Sequence, residues 1–138
     1  MGTSIRGWIE IGDPEEQKYW DGIVKIGGFL DRNYKNFAYL FGERNNFDFK
    51  PVAAMRGLPE NISPEAKRDH QENPGHSESW IGWWELEAMQ WTHDANGSWI
   101  APNEQVVLTD DWKLAFDFMK MLADYYGKNY VRWVVWFD

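Results

Sequence analysis

The period of hydrophobic and polar positions changes several times along the chain, and each change predicts an element. Residues 5–11 alternate, with Ile5, Gly7, Ile9 and Ile11 on one side, and this predicts a strand ended by Gly12-Asp13-Pro14. Residues 19–26 form a second strand candidate that stops at Gly27-Gly28, and the acidic Asp13-Pro14-Glu15-Glu16 would connect the two as a hairpin. The period then lengthens. Over residues 33–41, Tyr34, Phe37, Ala38 and Phe41 recur at i, i+3, i+4 and i+7, with Asp31 or Asn33 as N-cap and Gly42 as the stop, so a helix with one buried face is predicted.

Periodicity is absent from residues 43–59, a long irregular stretch that carries Arg44, Asn45, Asn46, Arg56 and the stiff Gly57-Leu58-Pro59. Ser63-Pro64-Glu65 is a helix start, with a capping hydroxyl, a proline at the first position and an acid at the positive end of the dipole. The helix it opens runs to about Gln71 and is charged all round, which predicts a solvated surface element. Asn73-Pro74-Gly75 breaks it, residues 76–81 enter a strand or turn, and residues 83–88 form a short helical segment. Residues 89–93 and 98–101 flank Asn96-Gly97, which predicts a hairpin with a two-residue type I′ turn.

Thr109 or Asp110 caps the clearest helix, whose core stripe is Trp112, Ala115, Phe116, Met119, Leu122, Ala123 and Tyr126 before Gly127. Residues 130–137 are apolar on both alternating faces except at Arg132, as in a strand covered on both sides. The pattern as a whole predicts an α+β fold: a small, mainly antiparallel sheet packed against two principal helices, with a long irregular loop region. The 138 residues suit one domain, of which residues 1–90 bear the motifs described below and 91–138 add a hairpin, a helix and a strand.

Composition narrows the function. A net charge of −8 disfavours sequence-independent nucleic-acid binding, although screening still lets a local arginine cluster hold one small anion. The absence of cysteine removes disulfides, zinc thiolates and thiol catalysis. No apolar run approaches a membrane span, and Met1-Gly2-Thr3-Ser4-Ile5-Arg6 lacks a signal-like core, so a cytoplasmic protein is expected. Ten tryptophans, six tyrosines and eight phenylalanines exceed what a core of this size needs, which points to a binding surface; the competing explanation is that large rings fill volume with few residues.

Three groups combine anion-gripping side chains with residues that fix the backbone. The first is Asp31-Arg32-Asn33-Tyr34 leading to Phe41-Gly42-Glu43-Arg44-Asn45. Arg32 and Arg44 lie on either side of the predicted helix, more than about 10 Å apart, so they would frame an extended ligand unless the chain folds back. The second group, residues 51–59, presents Arg56 from a stiffened loop, suited to bidentate grip on phosphate or carboxylate or to an internal ion pair. In the third, Gly75-His76-Ser77-Glu78-Ser79-Trp80, His76 is the candidate general acid or base, Ser77 and Ser79 are hydrogen-bonding candidates, and Trp80 is a stacking platform. A hydrogen-bonded structural histidine is the simpler account of His76, and no nucleophile elbow, phosphate loop or His-Glu-x-x-His stands beside it. The histidines His70, His76 and His93 have no ligand spacing, so neither a metal nor a cofactor is expected.

Together these motifs, Arg32-Asn33-Tyr34 with Phe37 and Phe41-Gly42-Glu43-Arg44-Asn45, Pro51-Val52 with Arg56-Gly57-Leu58-Pro59 and Ser63, then Gly75-His76-Ser77-Glu78-Ser79-Trp80 and Glu85-Leu86, resemble a family of small, largely uncharacterised bacteriophage-encoded proteins. The resemblance covers about residues 5–90; residues 91–138 depart from its shorter members. It implies the host bacterial cytoplasm and an accessory, anti-defence role. Joined to the side-chain inventory, the leading expectation is a protein that captures, or captures and cleaves, a phosphate-bearing nucleotide-derived ligand. Arg32, Asn33, Tyr34, Arg44, Asn45, Arg56, Ser77, Ser79 and Trp80 are its binding candidates and His76 its catalytic one. The alternative is an acidic, Trp-rich inhibitor of a host protein; a homo-oligomer is compatible with either.

Overall fold

Two strands far apart in sequence form the spine of the fold. The computed structural model describes residues 2–13 and 18–138. In chain order the elements are β1 (Ile5–Gly12), β2 (Trp20–Lys25), α1 (Tyr34–Phe41), α2 (Pro64–Glu72), β3 (His76–Gly82), α3 (Trp83–Ala88), β4 (Thr92–His93), β5 (Trp99–Ile100), β6 (Val107–Leu108), α4 (Asp110–Tyr126) and β7 (Val131–Phe137). The main sheet has the order β2-β1-β7-β3 and is antiparallel throughout, as the α+β reading expected. The connection between β1 and β2 includes residues 14–17, which lie outside the described residues.

Every residue of β7 is buried, which is why its sequence shows no solvent side. Val131, Trp133, Val135 and Phe137 join the core beneath α1 and α4, together with Ile5 and Ile9 of β1, Ile81 of β3, Phe37 and Phe41 of α1, and Trp112 and Phe116 of α4. Phe37 and Phe41 meet Phe137 at 5.0 and 6.1 Å between ring centroids, so the two aromatic positions of α1 close directly on the central strand. Each such ring, fully buried, contributes about 1.5–3 kcal/mol of apolar transfer. At Gly7 the strands approach so closely that a Cβ would lie 2.0 Å from the Val134 carbonyl oxygen, and φ is +154°, so only glycine fits there.

The opposite sheet face is covered too, and here the structure corrects the expectation of a solvated α2. Ala66 and Asp69 of that helix are buried; Asp69 accepts hydrogen bonds from Trp8 Nε1 and Asn73 Nδ2, both at 2.9 Å. An alanine and an acid carry the inward side, so hydropathy alone could not reveal it. Beside them sits a buried ion pair: Arg132 Nε donates to Glu10 Oε1 at 2.6 Å, its Nη atoms donate to Asn61, and its guanidinium lies 3.9 Å from the Trp20 ring centroid. The lone charge in β7 is therefore satisfied on every side.

A small sheet, β4-β5-β6, packs against α4 through Trp83, Trp91, Trp99 and Phe116. Its first hairpin differs from the expected type I′ turn. Asn96 does not take positive φ; Gly97 does, the Gly97 amide donates to the Asp94 carbonyl and the Asp94 amide to the Ser98 carbonyl, closing a three-residue loop. The Asp94 carboxylate accepts from the Asn96 and Ser98 amides, which is what selects this turn. Among the described residues no helix is long and apolar enough to cross a membrane.

Candidate functional site

The first residue of β1, the last of β7 and the first of β3 meet at one end of the sheet, where Ile5 and His76 both pair with Phe137. Residues 2–4 continue from that end across α1, and around them the side chains of the first group gather. The Thr3 amide donates to Tyr34 Oη at 3.1 Å. Arg44 Nε donates to Thr3 Oγ1 at 2.7 Å while its guanidinium lies 4.8 Å from the Tyr34 ring centroid. Arg32 Nε donates to Ser4 Oγ at 3.0 Å, and a methyl added to Gly2 would lie 2.5 Å from Arg32 Nη1 and 2.7 Å from Tyr34 Oη. Thus one guanidinium covers the face of Tyr34, and the other lies with the Tyr34 hydroxyl beside Gly2. The length of α1 separates the two backbone positions, but both side chains bind the same segment, Arg44 at Thr3 and Arg32 at Ser4.

His76 and Ser77 sit in a β-bulge, where the pairing of β3 with β7 shifts register between His76 and Ser79. Ser77 has φ of 56° and Arg44 of 51°, a left-handed conformation that costs a non-glycine residue about 1–3 kcal/mol. His76 Nδ1 lies 3.0 Å from Ser77 Oγ and 3.5 Å from Glu43 Oε2, the latter a charge approach longer than a hydrogen bond. Glu43 directly precedes Arg44, so it links the histidine to the arginine cluster. Because hydroxyl and carboxylate address the same ring nitrogen, the trio is no proton relay, which needs them on opposite nitrogens. The arrangement orients His76 without activating Ser77.

The end of the sheet is also electrostatically organised. Asp138 accepts from Arg6 Nε at 2.8 Å and from the Ser4 amide at 3.2 Å. Partial burial opposes its charge, but these bonds and the nearby Arg6 and Arg32 charges outweigh burial and hold its pKa below the ordinary aspartate value.

The remaining candidates serve the loop between α1 and α2. Asn33 caps α1 by accepting from the Asn36 amide, and Asn45 brackets Phe49, donating to its carbonyl and accepting from its amide. Buried Ser79 donates to the Ala53 carbonyl at 2.5 Å and accepts from the Arg56 amide at 3.2 Å. Arg56 forms a fork with Glu85, at 2.7 and 2.6 Å, donates to the Trp80 carbonyl and stacks over the Trp80 ring at 4.7 Å. Burial pushes the Glu85 pKa up, yet the Arg56 and Gly82 hydrogen bonds and the Arg56 charge bring it below the ordinary glutamate value. Arg56 and Trp80 therefore form a clasp between the loop, β3 and α3, apart from Arg32 and Arg44. Sequence reasoning quoted Glu43 and Glu85 within its motifs but gave neither a role in the site; their adjacency to the candidate arginine and histidine was the available signal.

Two cavities elsewhere in the molecule are lined by other residues. One of about 330 Å³ has Trp83, Trp91, Trp99 and His93 among its walls, and an apolar hollow of about 230 Å³ lies between β1, β2 and α4. Six tryptophans are buried and Trp8, Trp80, Trp84 and Trp91 are half-buried, so none of the ten stands exposed. Among the described residues no group of three or more His, Asp or Glu is placed to hold a metal ion. No family model, no curated protein and no solved structure matches the chain.

Proposed function

We propose that the chain captures a phosphate-bearing, nucleotide-derived ligand at the end of the sheet formed by residues 2–4, Arg32, Tyr34, Arg44 and His76. The observation that carries this reading is that two guanidinium groups, from opposite ends of α1, are both held by residues 3–4, one of them over the Tyr34 ring. Arginine forks match the oxygen geometry of phosphate, and holding two of them in advance lowers the entropic cost of grip. His76, more than half exposed, would hydrogen-bond the ligand, and strain at Ser77 and Arg44 is the kind of local cost retained where a site is shaped for a partner. The shared Nδ1 contact favours capture over cleavage. In a phage-infected bacterium, such capture would remove a signalling molecule from host defence. The protein-inhibitor alternative draws on exposed tryptophan, and the ten indoles are instead covered or half-covered.

Isothermal titration calorimetry with a panel of cyclic dinucleotides and ADP-ribose derivatives tests the proposal. We expect a binding isotherm for at least one, weakened about tenfold or more by Arg32→Ala and by Arg44→Ala, with one such phosphate contact corresponding to roughly 1.5–3 kcal/mol. No heat with any member, or affinity unchanged in both variants, would refute it.

A further inference from the structure

α4 carries a second apolar stripe, of which the core takes only the edge of Phe118. Trp112, Ala115, Phe116, Met119 and Ala123 face inward. Rotated away from them lie Leu114, Phe118, Met121 and Tyr125, spaced i, i+4, i+7 and i+11, of which Leu114, Met121 and Tyr125 are 52%, 56% and 82% exposed. At the foot of this stripe is the apolar hollow of about 230 Å³ lined by Ile9, Val24, Phe29, Leu114, Ala115 and Phe118, with no polar wall. A contiguous apolar ridge beside an empty apolar hollow is the signature of an interaction surface.

The charges along one flank of the stripe identify the occupant. Lys113, Asp117, Lys120 and Asp124 follow one another with alternating sign, and reading the series backwards reverses every sign. Two copies of α4 laid antiparallel about a two-fold axis bring the same flank of each together, as isologous pairing requires. Lys113 then faces Asp124 of the second copy, and Asp117 faces Lys120 of the second copy. A parallel two-fold pairing would instead turn this flank of each helix away from its own equivalent and leave the series without a complement. In the antiparallel register Met121 of the second copy lies level with Phe116, between Leu114 and Phe118, at the mouth of the hollow.

We infer that the chain forms a two-fold dimer through antiparallel packing of α4, with the Leu114, Phe118, Met121 and Tyr125 stripes as its centre and the Lys113–Asp124 and Asp117–Lys120 pairs fixing the register. Today Lys113 pairs with Asp117 at 2.5 Å and Lys120 with Asp124 at 2.6 Å, while the other Asp117 oxygen accepts from Trp99 Nε1 at 2.8 Å; on a helix surface the ion pairs are weak enough to be shared. The inference is independent of what the sheet end binds.

Sedimentation equilibrium of the intact chain over about 1–100 µM, the range in which a modest interface is half-associated, provides the test. We expect twice the chain mass at the upper end. Met121→Lys should raise the dissociation constant at least about tenfold, with far-UV circular dichroism and thermal unfolding establishing that this exposed substitution leaves the fold intact. Lys113→Glu alone should weaken the dimer, and adding Asp124→Lys should restore it. A monomer at every concentration would overturn the inference, as would a dimer indifferent to Met121→Lys; a double charge swap no better than the single one would overturn the antiparallel register.

Discussion

Cutting the buried ion pair from one side should destabilise this protein far more than removing both members. The side chains of Arg132 and Glu10 are 6% and 0% exposed, and Arg132→Met leaves the Glu10 carboxylate with only the Ser63 amide, 2.8 Å away, as its hydrogen-bond donor. Burial already pushes the Arg132 pKa below its ordinary value, with the Glu10 charge and hydrogen bond working against that, so the environment has little solvent to offer either charge. An orphaned charge of this kind costs about 3–5 kcal/mol, and for a chain of this size that corresponds to a fall in Tm of roughly 10–20 °C. Glu10→Leu combined with Arg132→Met removes both charges but still strands the Ser63 amide, a cost of roughly 1–3 kcal/mol. The double variant should therefore be more stable than Arg132→Met alone. Guanidinium unfolding followed by tryptophan fluorescence measures Arg132→Met, Glu10→Leu and the double variant, and Trp20, stacked on the guanidinium, reports locally. If the single and double losses simply added, with coupling below about 0.5 kcal/mol, the account of this pair would be wrong.

Other outcomes follow from the same geometry. Gly7→Ala should destabilise by about 1–3 kcal/mol or more, read as a lower midpoint in urea, because its methyl would press on the Val134 carbonyl. Ser63→Ala removes the cap that accepts from the Ala66 amide and should cost about 1 kcal/mol by the same assay. Glu85, Asp117 and Asp138 all have pKa values lowered in the fold, so the stability they confer is complete above their ordinary values of 4.5, 3.8 and 3.8 and fades as pH falls through the folded values. Thermal unfolding from pH 6 down to about pH 3 should show that loss, and Arg56→Ala should flatten the part due to Glu85; an unchanged pH profile in that variant would contradict the clasp.

Much of the fold was legible because apolar runs of different period demand different cover. β7 reads as a central strand from sequence alone, since both its faces are apolar; α4 declares its inward stripe as far as Ala123, although Tyr126, expected in it, is exposed, and α1, expected to bury one face, is buried at every residue from Asn36 to Phe41. What stayed hidden was burial carried by polar groups. Asp69 lies inside because Trp8 and Asn73 satisfy it, and Arg132 because Glu10 and Asn61 do, and of these partners all but Asn73 are far away in sequence. The turn at Asn96-Gly97 was misread because a carboxylate two residues upstream, Asp94, outcompetes the dipeptide's own preference. At the candidate site, residue types were visible but not their grouping: Arg56 was drawn off by Glu85, while Arg32 and Arg44 met through residues 2–4, which carry no motif.

The strand order of the main sheet also constrains how the chain is made. β1 finds its inner neighbour only in β7, and β3 pairs with β7 alone, so no part of the central sheet can be completed on a ribosome until residues near 137 have emerged. Until then the hairpin of β1 and β2 exposes a row of unpaired amides and carbonyls beside Ile5 and Ile9. Closing so long a loop slows folding, and nascent chains of this protein should lean on chaperones, or on swift synthesis of the stretch that leads to β7, until that strand is in place.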